Sequence, residues 1–335
     1  MSERVAVIGA GSWGTAVAGL TAANVPTVLW ARDAELAAAI DGGGVNPRYL
    51  PDHRLPDALR STASLAEAVA DATLVLMAVP SHGFRAVAGG MADALPPGTP
   101  VVSLTKGLER GSRLRMTEVL AQELPATPTG VLTGPNLASE VVAGQPTAAV
   151  VALADEAAAA RVQWTLMSPT FRVYTSVDVR GCELAGALKN VLAVAAGISD
   201  GLGFGDNTRA ALITRGLAEM GRLGVRLGGD RMTFAGLAGV GDLVATCTSP
   251  RSRNRTVGVA LGQGRTLDDI LGSMTMVAEG VKTARPMVEL AASYDVEVPI
   301  AHQVADLLDG VRSPAEAIAA LMERPASSEF PGTPG

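Results

Sequence analysis

Residues 5–30, VAVIGAGSWGTAVAGLTAANVPTVLW, decide how the rest of the chain is read. Val5 to Ile8 form a short apolar run with the pattern of a buried strand; a glycine-rich turn, a small-residue helix and a second strand at Thr27 to Trp30 follow. In this setting the three glycines have distinct physical tasks. Gly9 allows the tight turn, Gly11 lets the backbone approach a pyrophosphate, and Gly14 lets the helix pack closely on the sheet. The N-terminus of the helix then faces the phosphate charge with unpaired N–H groups. The stretch predicts a bound dinucleotide.

About twenty positions after the turn, where such a site meets the adenosine ribose, the chain reads LWARD. Arg32 suits a ribose 2'-phosphate and so favours NADP, whereas Asp33 suits the free hydroxyls of NAD. Both readings stand at this point. Further strands are expected within TLVLMAVP (73–80), VVSLTKG (101–107) and TGVLT (129–133), and at PTAAVVALAD and FRVYTSVD, with EAAAARVQWTLMS as the helix between the last two. Ligands of open α/β sheets bind beyond the carboxyl ends of the strands, which brings His82 and Lys106 to the crevice. A helix is expected to start near Asn136 to Ser139.

From Gly181 onward alternation fades and helical patterns dominate, through ALITRGLAEMGRLG, VKTARPMVELAASY and PIAHQVADLLDG. The fold class read from this is α/β, with an N-terminal Rossmann-like dinucleotide-binding domain over 1–178 and a mainly α-helical C-terminal domain over 179–322. The Pro/Gly/Ser-rich residues 323–335 read as a flexible tail. The net charge of -6 gives no reason to expect nucleic acid or an anionic membrane as partner. Cys182 and Cys247, with His53, His82 and His302, form no short-spaced ligand set, so no metal is expected. The chain enters its first strand after four residues without a basic leader, and the expected location is the cytoplasm.

The most apolar helix, within GCELAGALKNVLAVAAGISDGLGFG (181–205), holds Lys189 in its middle with Asn190 beside it. Burying an ammonium is costly unless it is paired or used. A partner is offered by GLAGVGDLVATCTSPRSRNRTVG (236–258), where Asp242 follows a run of glycines and can orient or neutralise Lys189. The arginines of RSRNR read as a phosphate clamp for a small substrate, because guanidinium donors match phosphate oxygens.

Taken in order, GAGSWGTA, NPRYLP (46–51), AVPSH (78–82), TKGLE (105–109), GPNLASEV (134–141), the run from Glu183 to Met220, GLAGVGDLVATCTSPRSRNR (236–255) and AEGVKTA (278–284) resemble the bacterial type of NAD(P)-dependent glycerol-3-phosphate dehydrogenase over nearly the whole chain. The resemblance implies reversible hydride transfer between NAD or NADP and the C2 centre of glycerol 3-phosphate or dihydroxyacetone phosphate. It implies Lys189 as catalytic acid/base with Asp242 close by. Lys106, Gly134, Asn136, Ser252, Arg253 and Asn254 correspond to substrate-contacting positions, and Ser12, Trp13, Arg32, Lys106, Ala138, Arg253 and Glu279 to positions around the cofactor. A cytosolic homodimer that supplies the glycerol phosphate backbone of phospholipids is also implied. One departure is Asn136, where the family commonly has serine after the Gly–Pro. An enzyme of the same plan acting on another hydroxy compound is opposed by the joint presence of LKN (188–190), GVGDL (239–243) and RSRNR. A regulatory nucleotide-binding protein has no need of Lys189, Asp242 and Arg253 together.

Overall fold

The computed structural model describes residues 3–274, 278–325, 328 and 329. Most of the expected tail lies outside them. In chain order the strands are β1 (Val5–Ile8), β2 (Thr27–Trp30), β3 (Val45–Asn46), β4 (Leu50–Arg54), β5 (Arg60–Thr62), β6 (Leu74–Met77), β7 (Val101–Ser103), β8 (Thr129–Thr133), β9 (Thr147–Leu153) and β10 (Phe171–Ser176). Eight of them form one sheet in the order β10-β9-β8-β7-β6-β1-β2-β5, and β3 pairs with β4 in a separate hairpin.

From β5 to β8 every neighbouring pair in the sheet is parallel. This is the dinucleotide-binding strand order, and its direction of winding reverses between β1 and β6, where the carboxyl ends leave a crevice. Val5 to Ile8 are wholly buried, as both faces of a central parallel strand require. The last two strands depart from the parallel pattern: β9 runs antiparallel to β8, and β10 is parallel to β9. The short β5 and the β3–β4 hairpin lack the apolar runs by which the other strands can be read.

After β10 the chain enters the helix Val179–Gly201, in which Gly181 to Ser199 are all buried. Such a helix needs partners on every side. The helices Asp206–Arg226, Asp242–Thr248, Arg253–Gly262 and Glu279–Ser293 surround it. By length and composition it is apolar enough to cross a membrane, but its apolar window is entirely buried inside the protein.

Glycine sets how close the neighbours come. A methyl group added at Gly197 would strike the Arg255 carbonyl oxygen, and one added at Gly258 would strike that of Val194. The two helix backbones therefore touch, and Arg253 and Asn254 at the start of one are held in fixed register with Lys189 on the other. Asp200 fastens the far end, accepting from Arg255 Nε at 2.8 Å and from Arg209 at 3.0 and 2.7 Å.

Gly258→Ala is expected to lower unfolding free energy by about 1–3 kcal/mol through overpacking. Gly42→Ala, in a helix with open space around the added carbon, should instead be neutral or stabilising by up to about 1 kcal/mol. Urea titrations of both variants check the contrast.

Candidate active site

The crevice begins at the glycine turn. Gly9 has φ +113°, and a side chain there would meet the Ala78 carbonyl oxygen at 2.7 Å; one at Gly14 would enter the Gly9 carbonyl. A side chain's first carbon at Gly11 would meet nothing within 4 Å. The space beside Gly11 is thus open. No side chain of the N-cap residue Gly11 caps the helix Ser12–Ala22, and the start of a helix favours negative charge. Trp13 Nε1, one residue on from Ser12, is buried with no acceptor among the described residues. A clear cradle and an orphaned donor fit a dinucleotide.

The segment NPRYLP closes over this turn. Asn46 is wholly buried and donates to the Ala10 carbonyl at 2.9 Å and to Thr15 Oγ1 at 2.8 Å. Two residues later Arg48 donates to Asp33 Oδ2 at 2.6 Å. Asp33 Oδ1 caps the helix Ala34–Gly43 through the N–H groups of Glu35 and Leu36. Arg48 foremost, with those N–H groups, holds the Asp33 carboxyl below its ordinary value. Both carboxylate oxygens are therefore engaged, whereas the exposed Arg32 makes no hydrogen bond or ion pair among the described residues.

Lys106 lies three residues beyond β7 and Gly134 directly after β8, so successive strand ends deliver them to one place. Lys106 Nζ donates to the Gly134 carbonyl at 2.9 Å, Asn136 Oδ1 at 2.8 Å and Asp242 Oδ2 at 2.7 Å. Lys189 Nζ donates to the other carboxylate oxygen, Asp242 Oδ1, at 2.9 Å, and to Thr246 Oγ1 at 2.6 Å. One carboxylate joins two ammoniums. The exposures of the three side chains are 16% for Lys106, 6% for Lys189 and 3% for Asp242. Burial pushes the Asp242 carboxyl up, but the two cations outweigh it and leave the group below its ordinary value. Burial brings Lys106 down to about 8, aided by the charges of Lys189 and Arg253 and opposed by Asp242.

Asp242 is aimed by its backbone. Leu237–Gly241 form a π-helical turn closed by Gly241 N–H to the Gly236 carbonyl at 3.1 Å, and Asp242 opens the helix Asp242–Thr248. A side chain at Gly239 would enter the Phe234 backbone, so this turn needs glycine. Because Lys106 donates to Asn136 Oδ1, the amide orientation is fixed. Asn136 Nδ2 is left buried without an acceptor among the described residues, as is Thr133 Oγ1.

The RSRNR stretch divides three ways. Arg251 pairs with Glu140 at 2.9 Å and Arg255 with Asp200 at 2.7 Å, whereas the exposed Arg253 makes no hydrogen bond or ion pair among the described residues. The expected clamp narrows to Arg253. Ser252 caps the helix Arg253–Gly262, accepting from Arg255 N. Asn254 accepts from Gly280 N at 2.8 Å and donates to Asn190 Oδ1 at 2.8 Å, and Asn190 donates to the Lys106 carbonyl at 2.8 Å. An amide nitrogen has two hydrogens, so one on Asn254 Nδ2 is unengaged among the described residues.

Glu279, the first residue of the helix Glu279–Ser293, accepts from Ser81 Oγ at 2.7 Å and Ser81 N at 3.3 Å, tying that helix to the start of the helix Ser81–Met91. Ala138 opens the short helix Ala138–Val142. His82 is exposed and its Nδ1 lies 3.0 Å from Lys282 Nζ, away from the lysine cluster's hydrogen bonds. Thr246 is not among the residues the sequence singles out; its signal is the spacing of four from Asp242, which puts both on one helix face. Among the described residues no group of three or more His, Cys, Asp and Glu is placed to hold a metal.

Two family profiles, for the N-terminus and the C-terminus of NAD-dependent glycerol-3-phosphate dehydrogenase, match residues 4–159 and 178–319. The chain is 52% identical over 329 residues to a glycerol-3-phosphate dehydrogenase [NAD(P)+] of Sphingopyxis alaskensis, covering 98% of this chain and 99% of that one. With a glycerol-3-phosphate dehydrogenase [NAD(P)+] of Parafrankia it shares 52% over 331 residues, again covering 98% and 99%. The crystal structure of a glycerol-3-phosphate dehydrogenase from Coxiella burnetii superimposes with a TM-score of 0.92 at 41% identity, over 96% of this chain and 99% of that one. The chain belongs to the NAD-dependent glycerol-3-phosphate dehydrogenase family.

Proposed function

We propose that the chain interconverts sn-glycerol 3-phosphate and dihydroxyacetone phosphate with NAD(P), and that Lys189 is its acid/base. The observation that carries this reading is the buried Lys189 ammonium, held by Asp242 and Thr246 within a cluster beyond the carboxyl ends of the strands. Bound at the glycine turn, a nicotinamide dinucleotide supplies or accepts the hydride. The protein has to supply what a hydride does not: a proton, a place for developing negative charge, and a fixed orientation. In the reducing direction Lys189 stabilises the oxygen on C2 as it gains charge and gives it a proton; in the oxidising direction it takes that proton back. Asp242 aims the ammonium.

Arg253, with the remaining N–H of Asn254 and with Ser252 at the same helix start, holds the phosphate. Binding there uses energy remote from C2 to orient the carbonyl. Lys106, Gly134 and Asn136 flank the polar end of the substrate, where the orphaned Asn136 Nδ2 finds an acceptor. Gly9, Gly11, Ser12, Trp13 and Gly14 receive the pyrophosphate, and Ala138 and Glu279 stand with Lys106 and Arg253 at the nicotinamide end. Arg32 faces the adenosine 2' position. With Asp33 engaged by Arg48 and a helix N-terminus, NADP is the preferred cofactor.

The division into a dinucleotide-binding unit over 1–178 and a helical unit over 179–322 follows the end of β10 at Ser176 and the start of the long helix at Val179. Both cysteines are buried free thiols, which suits a cytoplasmic location. Assembly as a homodimer, and supply of glycerol phosphate to phospholipid synthesis, rest on kinship with the family.

Mixing the protein with dihydroxyacetone phosphate and NADPH or NADH, and following the absorbance of the reduced nicotinamide, tests the reading; no loss from folded protein with either cofactor sinks it. Lys189→Ala should lower kcat by about 10³-fold while leaving dinucleotide affinity within about twofold. Arg253→Ala should raise KM for dihydroxyacetone phosphate by about 10- to 100-fold. Wild-type kcat/KM should favour NADPH, and Arg32→Ala should cost NADPH at least about tenfold and NADH little; equal efficiencies in the wild type would reject the assignment of Arg32. Lys106 is cationic below its lowered pKa, so kcat/KM should hold on the acid side of about pH 8 and decline as pH rises through it. A profile flat well beyond that pH would remove Lys106 from substrate binding.

A further inference from the structure

The sequence run ELAGALKN contains a second buried charge that the chemistry above does not use. Glu183 lies on the same helix as Lys189, and seven residues separate it from Asn190, which places Glu183 and Asn190 on one face two turns apart. Its side chain is 4% exposed. Oε1 accepts from Thr117 N at 2.9 Å; Oε2 accepts from Arg115 at 2.8 Å and from Thr117 Oγ1. Thr117 is in the first turn of the helix Met116–Glu123, so the carboxylate also meets the positive end of that helix.

These contacts fall at the end of the strap that carries Lys106. Arg115 forms an isolated antiparallel bridge with Leu108, two residues after Lys106, and between them Glu109 N bonds to the Leu114 carbonyl at 2.9 Å. Arg85 grips Glu109 in a fork at 2.7 and 2.8 Å. On the facing helix, Gly186 stands between Glu183 and Asn190, and a methyl group there would lie 3.4 Å from Lys106 Cγ. The strap is therefore gripped at both ends by one helix face: Asn190 holds the Lys106 carbonyl and Glu183 holds Arg115 and Thr117.

We propose that Glu183 is a positioning residue for the reaction: through Arg115 and Thr117 it fixes the Lys106 strap against the helix that carries Lys189, and so sets the separation of the two ammoniums across Asp242. The inference rests on the functional reading given above for its catalytic consequence, though not for its geometry. A buried ion pair of this kind adds little net stability over an apolar pair but defines one arrangement, since losing one member strands the other.

Glu183→Gln keeps a carbonyl oxygen for Thr117 N–H and removes the charge that holds Arg115. Two quantities are read in the full-length protein: kcat/KM for dihydroxyacetone phosphate, and the pH dependence of Lys106 modification by an amine reagent, followed by peptide mass spectrometry. The variant is expected to lose about tenfold or more in kcat/KM, to keep KM for the dinucleotide within about twofold, and to move the Lys106 midpoint from about 8 toward that of an ordinary lysine. A folded variant with wild-type values of either quantity overturns the proposal, because the loss or the displacement then arises elsewhere. Should Glu183→Gln fail to fold, Thr117→Val removes only the hydroxyl leg, and the same two readouts decide with an expected change of about threefold in kcat/KM. Wild-type protein inactive toward dihydroxyacetone phosphate overturns the functional reading instead, while the Lys106 midpoint still reports whether Glu183 places that lysine.

Discussion

A single carboxylate shared by two ammoniums governs the architecture of this protein. Asp242 sits 2.9 Å from Lys189 and 2.7 Å from Lys106 in surroundings that exclude most water. Removing three charges from solvent is expensive, and the mutual attraction repays it only when each oxygen and each hydrogen finds a partner. Here Thr246, Asn136 and the Gly134 carbonyl complete the set. The cluster is left with one positive charge in excess. A phosphorylated substrate and an oxygen gaining charge at C2 both answer that excess, so the imbalance in the cluster complements the reaction of the family to which the chain belongs.

Holding the three groups together requires three separate pieces of chain to meet. Lys189 comes from a helix surrounded by other helices, Asp242 from the π-helical turn that precedes its own helix, and Lys106 from a strap beyond β7. Glycine permits close approach in the surrounding structure in several ways. At Gly9 and Gly14 it lets one turn approach another and leaves Gly11 clear; at Gly186 it lets the Lys106 strap lie on the helix; at Gly197 and Gly258 it brings two helix backbones into contact. Side-chain loss is thus a positioning device. The entropic penalty of glycine in helices is accepted where close approach is needed.

Much of this was legible in the sequence because its signals are local. The strand–turn–helix at the start, the buried strands of the parallel sheet and the charge in the most apolar helix each announce themselves within one window. What stayed hidden depends on partners distant along the chain. Arg32 and Asp33 look equivalent as neighbours, and only Arg48, brought in by the docked Asn46 segment, distinguishes them. Arg251, Arg253 and Arg255 look like one clamp, yet Glu140 and Asp200 engage two of them. The reversal of β9 cannot be read from its apolar residues, since parallel and antiparallel buried strands have the same composition. Asp242 was expected as the partner of Lys189; its simultaneous hold on Lys106 depends on how two strand ends meet a helix.

The helix Val179–Gly201 also constrains how the chain is made. It has the length and hydropathy of a membrane span, and it leaves the ribosome before Asp242–Thr248, Arg253–Gly262 and Glu279–Ser293 have been synthesised. The preceding sheet can close around its own core while this segment still lacks the partners that cover it. Its Gly197 and Gly201 surfaces, shaped to touch another helix backbone, stay open until Gly258 and Gly262 arrive. The second half of the protein therefore assembles late and through contacts far apart in sequence, a regime in which exposed apolar surface invites aggregation. The helix that buries Lys189 is thus, during synthesis, an apolar segment still waiting for the helices that cover it.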